Sequence, residues 1–141
     1  MKYKIGYVPD TFDLFHIGHL NIIKRAKEKC TLLICIVSTD DLVLRHKQKH
    51  VVVPFDERVE IVKAIKYVDK VVPQTNQDKF LQWQEHKYNA IFVGDDLKDT
   101  SKWKIYEEQL KPKGVEFIYF PYTQTTSSTL ILKRLQGLEL Q

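Results

Sequence analysis

His16 and His19 stand three positions apart with Gly18 between them, in the run Pro9-Asp10-Thr11-Phe12-Asp13-Leu14-Phe15-His16-Ile17-Gly18-His19. On a helix that spacing sends both imidazoles to the same side. The β-rich run Tyr3–Val8 predicts a strand before the pair, and the pattern after it predicts a helix over about Ile17–Lys29. The histidines therefore fall on a strand-to-helix turn. A helix amino end offers free amides and a positive dipole to an anion, and Gly18 lets that anion approach the backbone closely. Phosphate binding is the chemistry such a turn would do. Two other readings of the same residues stay open: histidine pairs also occur as ordinary surface residues, and His16, His19 and Asp13 could ligate a metal, although HExxH spacing is absent.

Other stretches carry chemistry-bearing side chains. Arg45, His46, Lys47, Lys49 and His50 gather basic residues, which charge patterning alone reads as a solvated loop. Gly94-Asp95-Asp96 suits a turn as well as a ligand-binding crevice. The hydroxyl-rich run Pro121–Thr129 leads into a predicted helix, where Ser and Thr either cap the helix or bind phosphate through the same amides. No GxGxxG or GxxxxGK[ST] run exists, which disfavours a dinucleotide Rossmann site and a P-loop kinase. Cys30 and Cys35 lack CxxC or zinc spacing and lie in or beside apolar segments, as core thiols do.

The elements that must position these residues follow from period counting. Strands are predicted at Tyr3–Val8, Thr31–Val37, Asp69–Val72, Ala90–Val93 and Val115–Phe120. Helices are predicted near Ile17–Lys29, after Pro54 through Val59, Val62 and Ile65, and near Gln77–His86, Ser101–Leu110 and Ser127–Leu135. Alternating strands and helices imply an α/β fold, a doubly wound parallel five-stranded sheet with helices on both faces. Ligands then bind beyond the carboxyl ends of the strands, where the winding reverses.

Composition bounds the alternatives. At 141 residues, 43% apolar and 28% charged, the chain suits one domain over residues 1–141 with a normal core, and argues against disorder. No apolar run approaches the roughly 20 residues of a membrane span, and the first residues do not read as a secretory signal, so a cytoplasmic protein is expected. A net charge of +4 suits an anionic ligand without demanding nucleic acid.

Thr11 through His19 resembles the TFDxxHxGH signature of small bacterial cytidylyltransferases, particularly those using glycerol 3-phosphate, within the wider HxGH nucleotidyltransferase superfamily with its Rossmann-like fold. The resemblance extends over Ser38-Thr39-Asp40, Lys47-Gln48-Lys49, Glu57-Arg58, Tyr67-Val68-Asp69, Gly94-Asp95-Asp96 and Pro121–Thr129. It implies that CTP and a small phosphorylated alcohol, sn-glycerol 3-phosphate first among them, give a CDP-alcohol and pyrophosphate. Magnesium would ride on the triphosphate. It further implies a homodimer serving wall-polymer, capsule or lipid synthesis.

The implied roles can be stated residue by residue. His16, His19 and Lys49 act in catalysis at the α-phosphate. Thr11, Phe12, Gly94, Asp95, Thr123, Ser127, Ser128 and Thr129 join them in holding the nucleotide. Lys47, Lys66, Asp69 and Lys79 hold the acceptor. A phosphate monoester is already a dianion near neutral pH, so alignment and charge stabilisation are what the protein must supply.

The chain departs from the family pattern at Asp10, where Gly is usual, at Lys66 and Tyr122, where Arg is usual, and at Thr125, Thr126 and Ser128. Lys lacks the planar fork of Arg, and Asp10 would repel a triphosphate at close range. Alternatives are an adenylyltransferase acting on a phosphorylated sugar or flavin, and a nucleotide-binding regulator without turnover.

Overall fold

The computed structural model describes residues 2–122 and 125–139. Five strands, β1 (Tyr3–Asp10), β2 (Cys30–Ser38), β3 (Lys70–Gln74), β4 (Ala90–Gly94) and β5 (Glu116–Phe120), form one parallel sheet in the order β3-β2-β1-β4-β5. The helices are α1 (Ile17–Lys29), α2 (Asp40–Lys47), α3 (Phe55–Lys63), α4 (Lys79–His86), α5 (Ser101–Leu110) and α6 (Ser128–Glu139). Among the described residues, no helix is long and apolar enough to cross a membrane.

Both faces of the sheet are buried, because neighbouring strand residues point to opposite cores. On β2, Leu33, Cys35 and Val37 pack with Ile23 and Ala26 of α1 and Val62 of α3. Ile34 and Ile36 face the other way, with Trp103, Tyr106 and Leu110 of α5. Gly6 is required where β1 is crowded: a Cβ there would lie 2.7 Å from Cys30 Sγ and 2.8 Å from the Phe92 ring. Cys30 and Cys35 are free, buried core thiols, as expected.

The winding reverses between β1 and β4, which sit side by side while their following segments diverge. The loop after β1 carries the histidines, and the turn after β4 carries Gly94–Asp96. Chain order alone thus brings both segments to one crevice.

Some boundaries differ from the sequence reading. The largest difference is α2, since Arg45, His46 and Lys47 form its last turn rather than a loop. Thr39 Oγ1 accepts from the Leu42 amide, Asp40 and Asp41 occupy the first turn, and Gln48 ends the helix at φ 52°. Acidic start and basic finish both complement the helix dipole. β3 begins after Asp69, α4 begins at Lys79 rather than Gln77, α3 ends before Ile65, and α6 runs on through Gly137.

Candidate active site

The histidine turn is built by its own side chains. His16 is the N-cap of α1, and its Nδ1 accepts from the Gly18 amide at 3.0 Å. His19 returns the arrangement, its Nδ1 accepting from the His16 amide at 3.2 Å. This reciprocal pair does what Ser/Thr and Glu do in a capping box, satisfying two otherwise orphaned donors. It also assigns the tautomer: a nitrogen that accepts an amide proton carries none, so in each neutral ring the proton is on Nε2. The ring centroids are 3.9 Å apart. Burial lowers the pKa of both, and His19 lowers that of His16 further. Near neutral pH the pair is two uncharged Nε2–H donors at a helix amino end whose first turn holds no acidic residue.

Two carboxylates and two left-handed residues shape the loop leading to it. Phe12 and Leu14 take left-handed backbone at φ 57° and 51°, which costs a non-glycine residue roughly 1–2 kcal/mol each. Asp10 Oδ1 accepts from the Thr11 amide at 2.6 Å and the Phe12 amide at 3.3 Å, and Oδ2 stands 3.9 Å from His19 Nε2. The Phe12 amide, expected to meet phosphate, is turned to this carboxylate. Asp13 accepts from the Val52 and Val53 amides, both at 2.9 Å, and so docks the lysine segment beside the histidines. Its two oxygens and both imidazole Nδ1 atoms are thereby committed to backbone, which is a cap and not a ligand set for a metal. Among the described residues no group of three or more His, Cys, Asp or Glu could hold a metal ion.

Arg58 of α3 organises the wall behind the loop, its side chain fully buried. Its guanidinium donates to the carbonyls of Val53 (2.8 Å), Thr11 (2.6 Å) and Ser38 (2.7 Å) and to Asp40 Oδ1 (2.5 Å). One planar cation thus ties the ends of β1 and β2 to α2 and α3. In the sequence Arg58 stands out only within Glu57-Arg58, one of the stretches that carry the resemblance. Its buried network had no local signal, because three of the four partners are backbone carbonyls.

Two cavities open on this crevice. The first, about 340 Å³, is lined by His16, Gly18, His19, Lys49, Ser127, Ser128 and Thr129, with Asp13 at its side. Ser128 Oγ donates to the Asp13 carbonyl at 2.6 Å, so the start of α6 is fastened onto the histidine loop. Ser127 Oγ accepts from the Leu130 amide at 3.0 Å, which is ordinary helix capping. The second, about 310 Å³, is lined by Lys79, Lys102, Gln74, Gln77, Trp103 and Tyr106, with Gly94 beside them. Asp10, Thr11, Lys47, Asp96 and Tyr122 line both and form the seam.

Lys79 is buried, with 4% exposure, its Nζ donating to Gln74 Oε1 at 2.7 Å and lying 5.7 Å from the centre of the Tyr106 ring. Desolvation, with Lys102 nearby, pushes its ammonium down to about 7.

The remaining expectations sort by position. Asp95 lines neither cavity and accepts from the Tyr122 amide at 3.2 Å. Phe12 is core, its ring stacked on Phe15. Thr123 lies outside the described residues. Lys66 and Asp69 precede β3, at the amino ends of the strands, whereas both cavities open at the carboxyl ends. Asp69 accepts from Lys27 Nζ at 2.6 Å and from the Leu33 amide at 2.7 Å, and Lys66 Nζ lies 5.2 Å from the centre of the Tyr67 ring. Within one chain they line neither cavity, because a strand's length separates them from the crevice. Asp10, Asp96, Lys102 and Tyr122 line the cavities without having been assigned to a site. Asp96 and Tyr122 had a signal in their place after β4 and β5, while Lys102 had none.

The cytidylyltransferase-like family model matches residues 7–134. Glycerol-3-phosphate cytidylyltransferase of Bacillus subtilis (strain 168) is 34% identical over 139 residues, covering 98% of this chain and all of that one. An FAD synthase of Archaeoglobus fulgidus is 37% identical over 105 residues, 74% of each chain. Among solved structures, a lipopolysaccharide core biosynthesis protein of Thermoplasma volcanium superposes with a TM-score of 0.74 at 20% identity, over 86% of this chain and 99% of that one. A match over nearly the whole chain, with the histidine turn at the reversal of a parallel sheet, places this protein in the cytidylyltransferase-like family.

Proposed function

We propose that the protein transfers CMP from CTP to a small phosphorylated alcohol, sn-glycerol 3-phosphate first, giving CDP-glycerol and pyrophosphate. The observation that carries this reading is the pair of cavities meeting at one seam, histidines and hydroxyls in one and lysines in the other. The nucleotide takes the histidine cavity, and the acceptor phosphate takes the lysine cavity. Magnesium enters bound to the triphosphate, as part of the substrate.

An acceptor phosphate oxygen attacks the α-phosphorus, and the bond from that phosphorus to the bridging oxygen breaks as pyrophosphate leaves. The attacking dianion needs no general base. His16 and His19 donate through Nε2 to oxygens on which charge develops, and Lys49 adds a cation on the same side. Lys47, on the seam, faces both substrates. Neutral donors suffice at the histidines because they are already aimed by the cap and need no reorganisation.

A second reading, transfer of AMP to a phosphorylated sugar or flavin, draws on the FAD synthase relatives. Pyrophosphate release with magnesium, crossing CTP and ATP against sn-glycerol 3-phosphate, phosphocholine, phosphoethanolamine, a heptose phosphate and riboflavin phosphate, separates the two. Turnover only with CTP and glycerol phosphate supports the first reading; turnover only with ATP replaces it. CTP binding without turnover in any pairing identifies a regulator. The family resemblance also implies two copies per molecule, which sedimentation equilibrium would test.

A further inference from the structure

Three lysines from three helices converge on the second cavity. Lys47 comes from α2, Lys79 from α4 and Lys102 from the first turn of α5, and all three line it. Among the described residues none of the three belongs to an ion pair. Burial lowers the pKa of both Lys79 and Lys102, and a neighbouring ammonium lowers each further, Lys102 acting on Lys79 and Lys47 on Lys102. The carboxylates on this wall are Asp10, already capping the loop amides, and Asp96, with Asp78 acting on Lys79 from the start of α4.

Neutral groups hold the cations in place. Lys79 Nζ donates to Gln74 Oε1, and Lys102 Nζ donates to Gln77 Oε1. Tyr106 OH donates to the Gln77 carbonyl at 2.9 Å, which locks that segment onto α5. Amide acceptors orient an ammonium without neutralising it, so the charge remains for a ligand.

We infer that Lys102, oriented by Gln77, is a specificity-determining residue that reads the doubly charged phosphate of the acceptor and so selects a phosphate monoester over neutral alcohols. This rests on the proposed division of the two cavities between nucleotide and acceptor. Lys47 from α2 and Lys102 from α5 bring two ammonium groups to the cavity from separate helices, matching the two charges of a monoester.

The test is calorimetric titration of the full chain with sn-glycerol 3-phosphate, inorganic phosphate and free glycerol, in the wild type, Lys102→Gln and Lys102→Arg. The side chain starts on the exposed face of the first turn, so neither change disturbs the core. The wild type is expected to bind both anions and not glycerol, with Lys102→Gln weaker for sn-glycerol 3-phosphate by about tenfold to a hundredfold. Lys102→Arg should recover most of that loss, and CTP affinity should change by less than about threefold. Equal affinity of Lys102→Gln and wild type overturns the inference. So does an equal loss for CTP, which would make Lys102 a general field charge, or a wild type that binds neither anion. Turnover is scored separately: a wild type that binds the anions through Lys102 yet forms no CDP-glycerol removes the proposed reaction and leaves this assignment standing.

Discussion

His16 and His19 each commit Nδ1 to a backbone amide, and the nitrogen left over is a protonated donor whether or not the ring is charged. Removing either ring should therefore act on rate, since the donors are aimed before the substrate arrives. His16→Ala and His19→Ala are each expected to lower kcat by about 10²–10³-fold. Circular dichroism alongside steady-state kinetics checks this, and a folded His19→Ala with normal kcat would take that ring out of the reaction. Asp10 presents the opposite case, an anion set on amides that a phosphate would use. Like charges at such range repel by roughly 1 kcal/mol or more. Asp10→Gly is expected to lower the KM for CTP severalfold; an unchanged or higher KM would mean that the carboxylate serves the loop and leaves the triphosphate alone.

The start of α1 doubles as cap and donor pair, so its stability and its chemistry share a protonation state. Both imidazoles have folded pKa values below the unfolded value of about 6.5. The neutral rings' contribution is thus complete above that pH and is lost as pH falls through the folded values. The thermal midpoint should drop on acidification below about pH 6.5, and His19→Ala should flatten that part of the profile. A parallel profile for the mutant would assign the loss to other groups. Arg58 acts at the same scale, tying two strands to two helices through a fully buried guanidinium. Breaking a buried charged network by removing one partner costs about 3–5 kcal/mol. Arg58→Met is expected toward the lower end, because Asp40 remains half exposed and can be hydrated. The urea midpoint measures it, and a change within about 0.5 kcal/mol would show that water replaces the guanidinium.

The whole molecule brings segments from every part of the chain to one end of the sheet. The crevice includes the loop after β1, α2 and the segment behind it, the start of α4, the turn after β4, α5 and the start of α6. A nucleotide bound there cross-links elements that are otherwise joined only through the core. Ligand that binds the native state alone stabilises it by about 2.7 kcal/mol at a hundred times its Kd. Calorimetric scans with CTP and magnesium should accordingly raise the thermal midpoint in the wild type, and much less in His16→Ala. An equal rise in both would locate the nucleotide away from the histidine cavity.

Strand and helix alternation, the absence of other phosphate motifs, and the histidine turn could all be read along the chain, because each depends on residues a few positions apart. The helix α2 was legible in principle through Thr39, its acidic start and its basic finish, but eight residues with few apolar positions carry little periodicity. Other features depended on packing. Lys66 and Asp69 sit beside a β-strand in sequence, and only the direction of that strand puts them at the far end from the site. Lys102 meets Gln77 across 25 positions because two crossover helices cover the same face of the sheet. Arg58 finds Thr11 across 47 positions because β1 ends beside β2. The local sequence thus determined which residues could handle phosphate, while the tertiary structure decided which of them share a cavity. Periodicity encodes the buried face of each element, but the distance between two loops is set by strand order and helix packing.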